Sequence, residues 1–463
     1  MDRSVTMQEG NIGSLLWKFS LPAIVGMLIN ALYNIVDRIF VGRGVGDIAI
    51  AATTVAFPIM IIMMSVAILI GIGTTALISI RLGEQKKDEA EKVVGNGVIM
   101  LVVLPLILTT IFMLFAGPIL TAFGAEGDVF PYALDFTRII MLGAVFGALT
   151  MGMNNFIRAE GNPTYAMATQ ITGGLINIAL NYVFIFKVGL GIKGSALATV
   201  CAQTISTLMV LYYYLSGRSL LKIRLKNLKP QLPVLTSIVT IGFAPFAMQL
   251  ANSIQQMILN KSLYAYGGDM ALSALGIMMS VATLLLMPLI GLSQGAQPLI
   301  GYNYGARQYD RVKETLFKAV VAGTCIALVF YLVIHIWPEQ IVGLFSKDNP
   351  ALIQMTSQAM MVYFAMLPIL AFQILGANYF QAVGKPVQST ILSLSRQVLL
   401  FIPLLLILPR FWGIDGIWRT APIADALSVL LTASLIAHEM KNLPKIQPQS
   451  IKQQDRPSTE VNR

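Results

Sequence analysis

The chain has 463 residues, of which 56% are hydrophobic and 12% charged, with a formal net charge of +10. A water-soluble domain carries about a quarter charged residues, and a single soluble core stops growing near ~250–300 residues. An apolar excess running almost from end to end therefore excludes an ordinary soluble enzyme or nucleic-acid binder and makes lipid the solvent.

A helix crosses a bilayer with roughly 20 apolar residues. Runs without Asp, Glu, Lys or Arg predict spans at 19–36, 48–80, 93–125, 139–157, 161–186 and 194–217. After a basic stretch the pattern resumes at 231–260, 270–306, 319–338 and 349–384. Two further spans, near 387–409 and 415–438, each carry one charge, giving twelve in all. The N-terminus lacks the compact order of a cleaved signal, so the first span is expected to be retained. Cys201 and Cys325 both fall within spans and predict no disulfide framework; His335 and His438 are isolated, and no nucleotide-binding motif is present.

Shifting the sequence by 222–223 positions superimposes many landmarks. Pro22 falls on Pro245, and Gly46-Asp47-Ile48-Ala49 on Gly268-Asp269-Met270-Ala271. Asn155 meets Asn378, Gly161-Asn162-Pro163 meets Gly384-Lys385-Pro386, and Gly191-Ile192-Lys193-Gly194 meets Gly413-Ile414-Asp415-Gly416. A shared offset across a whole half signals an internal duplication. Each half has an even number of spans, so the repeats are parallel, related by an axis along the membrane normal with a site at their interface. The predicted organisation is a cytoplasmic N-terminus at 1–10 and an N-lobe of six helices at 11–217. A basic cytoplasmic linker at 218–232, a C-lobe at 233–440 and a disordered cytoplasmic tail at 441–463 complete it. The linker reads as a solvated loop, with a lipid or partner site as its alternative.

Charge placement orients the chain. With the N-terminus in the cytoplasm, 22 of the 32 Lys and Arg residues lie on the cytoplasmic side. This positive-inside bias puts both termini in the cytoplasm and explains the basic balance without nucleic acid.

Ionisable groups inside spans are costly and are functional candidates by default. Asp37 forms a stripe with Asn30, Tyr33 and Asn34 at helical spacing on the first span. Pro22, upstream on that helix, removes a backbone donor and offers a hinge. The alternative for Asp37 is an end cap paired with Arg43. Asn177 and Asn181 share a face of the fifth span, and Thr199 on the sixth completes an oxygen-rich pocket suited to a hard cation or to a protonatable carboxyl. Ordinary interhelical hydrogen bonding is their alternative. Arg396 and Asp425 reach comparable depth and are expected to form a structural ion pair. Met60, Met63 and Met64, with Met278 and Met279 at the matching place in the second half, are candidate cavity residues because thioethers adapt to varied ligands. Lipid-compatible packing is the simpler reading of the methionines. Gln256 and Asn260 are the polar cavity candidates of the second half.

The segments LPAIVGMLINALYNIVDRIFVG, RLGEQKKDEAEKVV, NYGARQYDRVKETL, FIRAEGNPTYAM and YFQAVGKPVQST resemble the multidrug and toxic compound extrusion (MATE) transporters, as do GLGIKGSALAT and FWGIDGIWRTAPIAD. The resemblance covers about residues 11–440, with the prokaryotic DinF/MepA-like branch nearest. It implies an all-α, V-shaped membrane protein of twelve transmembrane helices in two pseudo-twofold-related bundles. It also implies a non-enzymatic, monomeric antiporter of the plasma (inner) membrane that exports cationic amphiphilic drugs, and so confers antibiotic resistance, against H⁺ or Na⁺. No other cofactor is implied, and no metal beyond Na⁺ at the Asp37 pocket. Asp37 matches the family's coupling carboxylate and Pro22 its bending proline. Asn181 departs from the pattern, since DinF-like members often carry Asp there; the C-lobe acids of NorM-like members are also missing. The rival reading is a lipid-linked oligosaccharide flippase, for which a cavity rich in Arg and Lys is expected.

Overall fold

The structure, a computed structural model, describes residues 7–345 and 349–443; most of the predicted tail lies outside the described residues. Fifteen helices carry the architecture. In the first half they are α1 (Ile12–Gly44), α2 (Asp47–Gly83), α3 (Lys87–Ala122), α4 (Val129–Leu142), α5 (Ala144–Ala159), α6 (Pro163–Tyr182) and α7 (Ile192–Leu215). The second half holds α8 (Leu232–Gly305), α9 (Tyr309–Ile336), α10 (Pro338–Gly343), α11 (Pro350–Tyr363), α12 (Leu367–Ala382), α13 (Pro386–Leu394), α14 (Ile402–Ile407) and α15 (Pro409–Asn442).

Among the described residues nine helical stretches are long and apolar enough to cross a membrane, and eleven if the bent pairs α4–α5 and α11–α12 each count once. The 74-residue α8 is broken at Gly268, whose φ of 62° and ψ of −156° are not helical. At 1.5 Å per residue such a length far exceeds the ~30 Å hydrocarbon core. It is therefore two crossings joined at the glycine, and the total is twelve. Both bends measure 51°.

Two π-helical segments interrupt the pattern. Val183–Lys187 extends α6, and Ser395–Phe401 joins α13 to α14. Such local widenings recur at functional sites.

Burial shows how the halves meet. One core combines residues of both halves, among them Leu82, Val93, Ile157, Tyr213, Ile300, Tyr302, Tyr379 and Val383. All lie toward the end that carries the 218–231 linker. At the far end the core splits: Val41, Ala52, Phe112 and Ile192 belong to one cluster, and Leu263, Met278, Met360 and Trp418 to another. The two halves are thus joined at the linker end and parted at the far end, the cross-section of a V.

Glycines make that joint. A Cβ on Gly83 would strike the Tyr302 carbonyl, and one on Gly305 would strike the Ile80 carbonyl. These contacts exchange under a shift of 222 positions, as expected where two repeats cross on their pseudo-twofold axis. Backbone meets backbone there because neither helix has a side chain in the way.

The linker is not the solvated loop its composition suggests. Leu221 is fully buried, and Leu220 and Ile223 pack against the shared core. Its polar backbone is satisfied by side chains of the first half. Lys222 N donates to Glu91 Oε1 at 3.2 Å and Gln231 N to Asn96 Oδ1 at 2.8 Å, while Arg224 pairs with Glu91 at 3.0 Å. Leu220, Leu221 and Ile223 give the first part of this basic run an apolar face, which the charge count hides, while Leu225 stays exposed.

Candidate functional site

The first half assembles a polar centre near its far end from α1, α6 and α7. Asp37 is half-buried, and its Oδ1 accepts from Asn181 Nδ2 at 2.7 Å and from Ser195 Oγ at 3.0 Å. Asn181 Nδ2 also reaches Asn177 Oδ1 at 3.0 Å, and Asn177 Nδ2 donates to Thr199 Oγ1 at 3.2 Å. The chain Thr199–Asn177–Asn181–Asp37–Ser195 thus ties three helices together. Asn177 and Asn181 sit one turn apart on the inner face of α6, and Ser195 and Thr199 one turn apart on α7, as helical spacing requires. Asn181 Oδ1 is buried without a hydrogen-bond partner. Oxygen atoms left over beside a carboxylate in this way suit a proton or a hard cation.

Helix α1 reaches this centre unbroken. Its dihedrals remain helical through Pro22. Asp37 forms no ion pair among the described residues, which removes the end-cap reading with Arg43. Arg38 turns away and lies over the Phe57 ring at 5.9 Å. Of the stripe, Tyr33 is half-buried where α1 packs on Gly174 of α6. Asn30 and Asn34 are exposed and bonded to each other, Asn34 Nδ2 to Asn30 Oδ1 at 3.1 Å.

The other candidates are more scattered. Met60 and Met63 pack on the first half's outer core, and Met64 is exposed. Met279 is half-buried, but Met278 is sealed inside the second half's core and lines no cavity. Its register on α8 points it inward, so its thioether serves packing. Gln256 Nε2 donates to Asn260 Oδ1 at 3.1 Å with Asn260 exposed. In the second half Arg396 Nε donates to Asp425 Oδ1 at 2.5 Å.

Four features escaped sequence reading. Ser195 is the donor that completes the Asp37 centre; its signal was the one-turn spacing to Thr199. Glu160 is fully buried at the corner between α5 and α6, where its Oε2 accepts from Ser219 Oγ at 2.6 Å, Leu220 N at 2.9 Å and Tyr213 Oη at 3.3 Å. Burial pushes its carboxyl up to about 7, against the opposing pull of these donors. At the corresponding corner of the second half Lys385 Nζ bonds the buried Glu439 at 2.6 Å. Arg158, one of the 22 cations counted on the cytoplasmic side, is buried and donates to Asn155 Oδ1 at 2.6 Å.

A duplicated helical bundle crossing the bilayer twelve times, with a polar centre held between its helices, defines a multi-pass membrane transporter. The MatE family model matches the chain twice, over residues 22–183 and 245–407, so its two copies begin 223 positions apart at Pro22 and Pro245. The chain belongs to the MatE family, which is a family of transporters and not of enzymes. It is similar to the multidrug export protein MepA of Staphylococcus haemolyticus, 27% identical over 435 residues, 94% of this chain and 95% of that protein. MepA of Staphylococcus aureus strain NCTC 8325 is 27% identical over 428 residues, 92% of this chain and 93% of its own. A MOP superfamily transporter from Pyrococcus furiosus has the same fold, with TM-score 0.90, 23% identity, and coverage of 96% of this chain and 99% of its own. A MATE crystallised in a bent conformation matches equally, with TM-score 0.90, 23% identity, and coverage of 95% and 98%.

Proposed function

We propose that the chain is a secondary active exporter of cationic amphiphilic compounds, driven by H⁺ or Na⁺ that couples through Asp37. The observation that carries this reading is the arrangement of the carboxylate. One oxygen is fixed by Asn181 and Ser195, and the other makes no hydrogen bond among the described residues. A fixed acid with a free oxygen can exchange a cation with the cavity without rebuilding its surroundings. Asn177, Asn181 and Thr199 supply the remaining oxygens, and Pro22 is the hinge through which occupancy would alter α1. The MepA relatives are named multidrug export proteins, which supports an export role.

On this reading the termini and the linker lie in the cytoplasm, which makes the parted end the outward-facing one. The charge bias of the loops supports this orientation. Moving one charge through 100 mV yields roughly 2.3 kcal/mol, about a fiftyfold concentration ratio, so one ion per cycle is enough for useful efflux.

The test is ethidium transport in everted vesicles under separate H⁺ and Na⁺ gradients, comparing wild type with Asp37→Asn. Gradient-driven transport should vanish in the variant while its folded yield is retained. Full coupled transport by Asp37→Asn would overturn the assignment.

A further inference from the structure

Each half is led into its first span by a short segment, and both segments are fastened across the joint to the opposite half. The segment before α8 is the linker. Its Gln231 N donates to Asn96 Oδ1 of α3 at 2.8 Å, and its Lys222 N and Arg224 reach the buried Glu91 of the same helix. The segment before α1 does the reverse. Arg311 of α9 donates from Nη2 to the carbonyl of Met7 at 3.2 Å and to that of Gly10 at 2.8 Å. Helices α3 and α9 correspond at the repeat offset, so the two halves exchange straps at their joined end.

The two fastenings differ in kind. Several groups hold the linker, a buried acid among them, whereas the N-terminal strap is held by hydrogen bonds from one guanidinium. Nε of Arg311 donates to Asn303 Oδ1 at 3.0 Å, and the fully buried Asn303 is itself fixed through Nδ2 to the Leu299 carbonyl at 2.7 Å. That bond aims the fork of Arg311 at the strap. Glu314, three residues along α9, pairs with Lys318 at 2.6 Å instead. At the equivalent place in the first half stands Glu89, which pairs with Arg81 of its own half at 3.2 Å. Behind the clasp Met7 is buried in the core that both halves share. Just beyond it α1 and α8 meet closely: a Cβ on Gly295 would strike the backbone of Ser20, and one on Gly291 that of Ile24.

We propose that Arg311 is a releasable clasp: it holds the N-terminal strap across the joint while this end is closed, and it lets go of Met7 and Gly10 when the halves part there. This rests on the exporter reading above, which requires the joined end to open once in each cycle. A contact made in only one of two states biases the equilibrium toward that state. Hydrogen bonds from a cation are strong enough to do so. Because the acceptors are neutral carbonyls and Arg311 is only half-buried, release strands no countercharge and leaves the guanidinium free to take up water.

Spin labels on Lys87→Cys and Asp310→Cys, both exposed at the first turns of α3 and α9, report the separation of the halves at this end. Cys201→Ser and Cys325→Ser clear the background, and double electron–electron resonance in lipid nanodiscs gives the ratio of long to short distances. That ratio should rise at least about fivefold in Arg311→Gln and in the chain lacking residues 2–10, and by a smaller factor in Arg311→Lys. Combining the deletion with Arg311→Gln should move it no further than either change alone, since both remove the same bonds. An unchanged ratio overturns the clasp, as do effects that simply add. Lower melting with no change of ratio, the result for a staple that never opens, overturns it too. Should Arg311→Gln not fold, Arg311→Lys and the deletion still give the answer. Wild type that moves no ethidium under either gradient defeats the exporter reading, while the distance ratio still decides the clasp.

Discussion

Replacing Glu160 by Gln should stabilise the protein above neutral pH and leave it unaffected near pH 4. Burial holds the folded carboxyl at about 7, against an ordinary value of 4.5. Below pH 4.5 folded and unfolded chains are both protonated there, and the group contributes nothing. Between 4.5 and 7 the unfolded chain releases its proton first, so folding stability falls as pH rises, and above 7 the full cost is present. A difference of that size at 1.36 kcal/mol per unit amounts to about 3 kcal/mol. The amide oxygen of Gln still accepts from Ser219 and Leu220, so the linker contact survives, and the orphaned Glu160 Oε1 no longer carries charge. With an unfolding entropy of roughly 2.1 cal/mol/K per residue, a chain of this length shifts about 1 °C per kcal/mol. Melting in detergent, followed by size-exclusion of the remaining folded fraction, should show the variant about 3 °C above wild type at pH 8 and equal to it near pH 4. A gap that does not change with pH, or a variant less stable at pH 8, would refute the argument.

Other perturbations test the rest of the architecture. Gly83→Ala and Gly305→Ala each drive a methyl into a backbone carbonyl of the opposite half and should lower folded yield or melting temperature, whereas Gly276→Ala, with open space around it, should be neutral or slightly stabilising. Lys385→Met leaves the buried Glu439 without its cation and should cost about 3–5 kcal/mol, with most of the loss recovered by adding Glu439→Gln. Ser195→Ala removes a donor from Asp37 and should weaken ion-driven ethidium transport while leaving melting within about 1–2 kcal/mol of wild type. Fusions should report topology: alkaline phosphatase active after residue 126 and inactive after residue 230 fits the assigned orientation, and the reverse pattern would reject it.

Much of the fold is local and therefore legible along the chain. Apolar run length marks the crossings, and turns such as Gly161-Asn162-Pro163 recur at the repeat offset because each half must solve the same chain reversal. The polar stripe ending at Asp37 is equally visible, since positions one turn apart must share a face. The rest depends on which surfaces meet. Ser195 reads as an unremarkable small residue until α7 is packed beside α1. Met278 looked like the partner of the first half's methionines, but it is buried inside the second half's core. The linker's charge suggested solvent, and only packing reveals that Leu221 is buried with Leu220 and Ile223 against the shared core.

The sequence by itself determined that this protein crosses a membrane as two like halves, because hydrophobic length and repetition are properties of the chain alone. It also marked Asp37 and Arg396 as the unusual charges. Tertiary structure decided what each charge faces: Asp37 meets two neutral donors on two other helices, and Arg396 meets one acid. Those outcomes rest on contacts between residues more than a hundred positions apart for Asp37 and on the packing of α15 for Arg396. Helix periodicity fixes the face a side chain occupies, but only the helix that packs there fixes its partner.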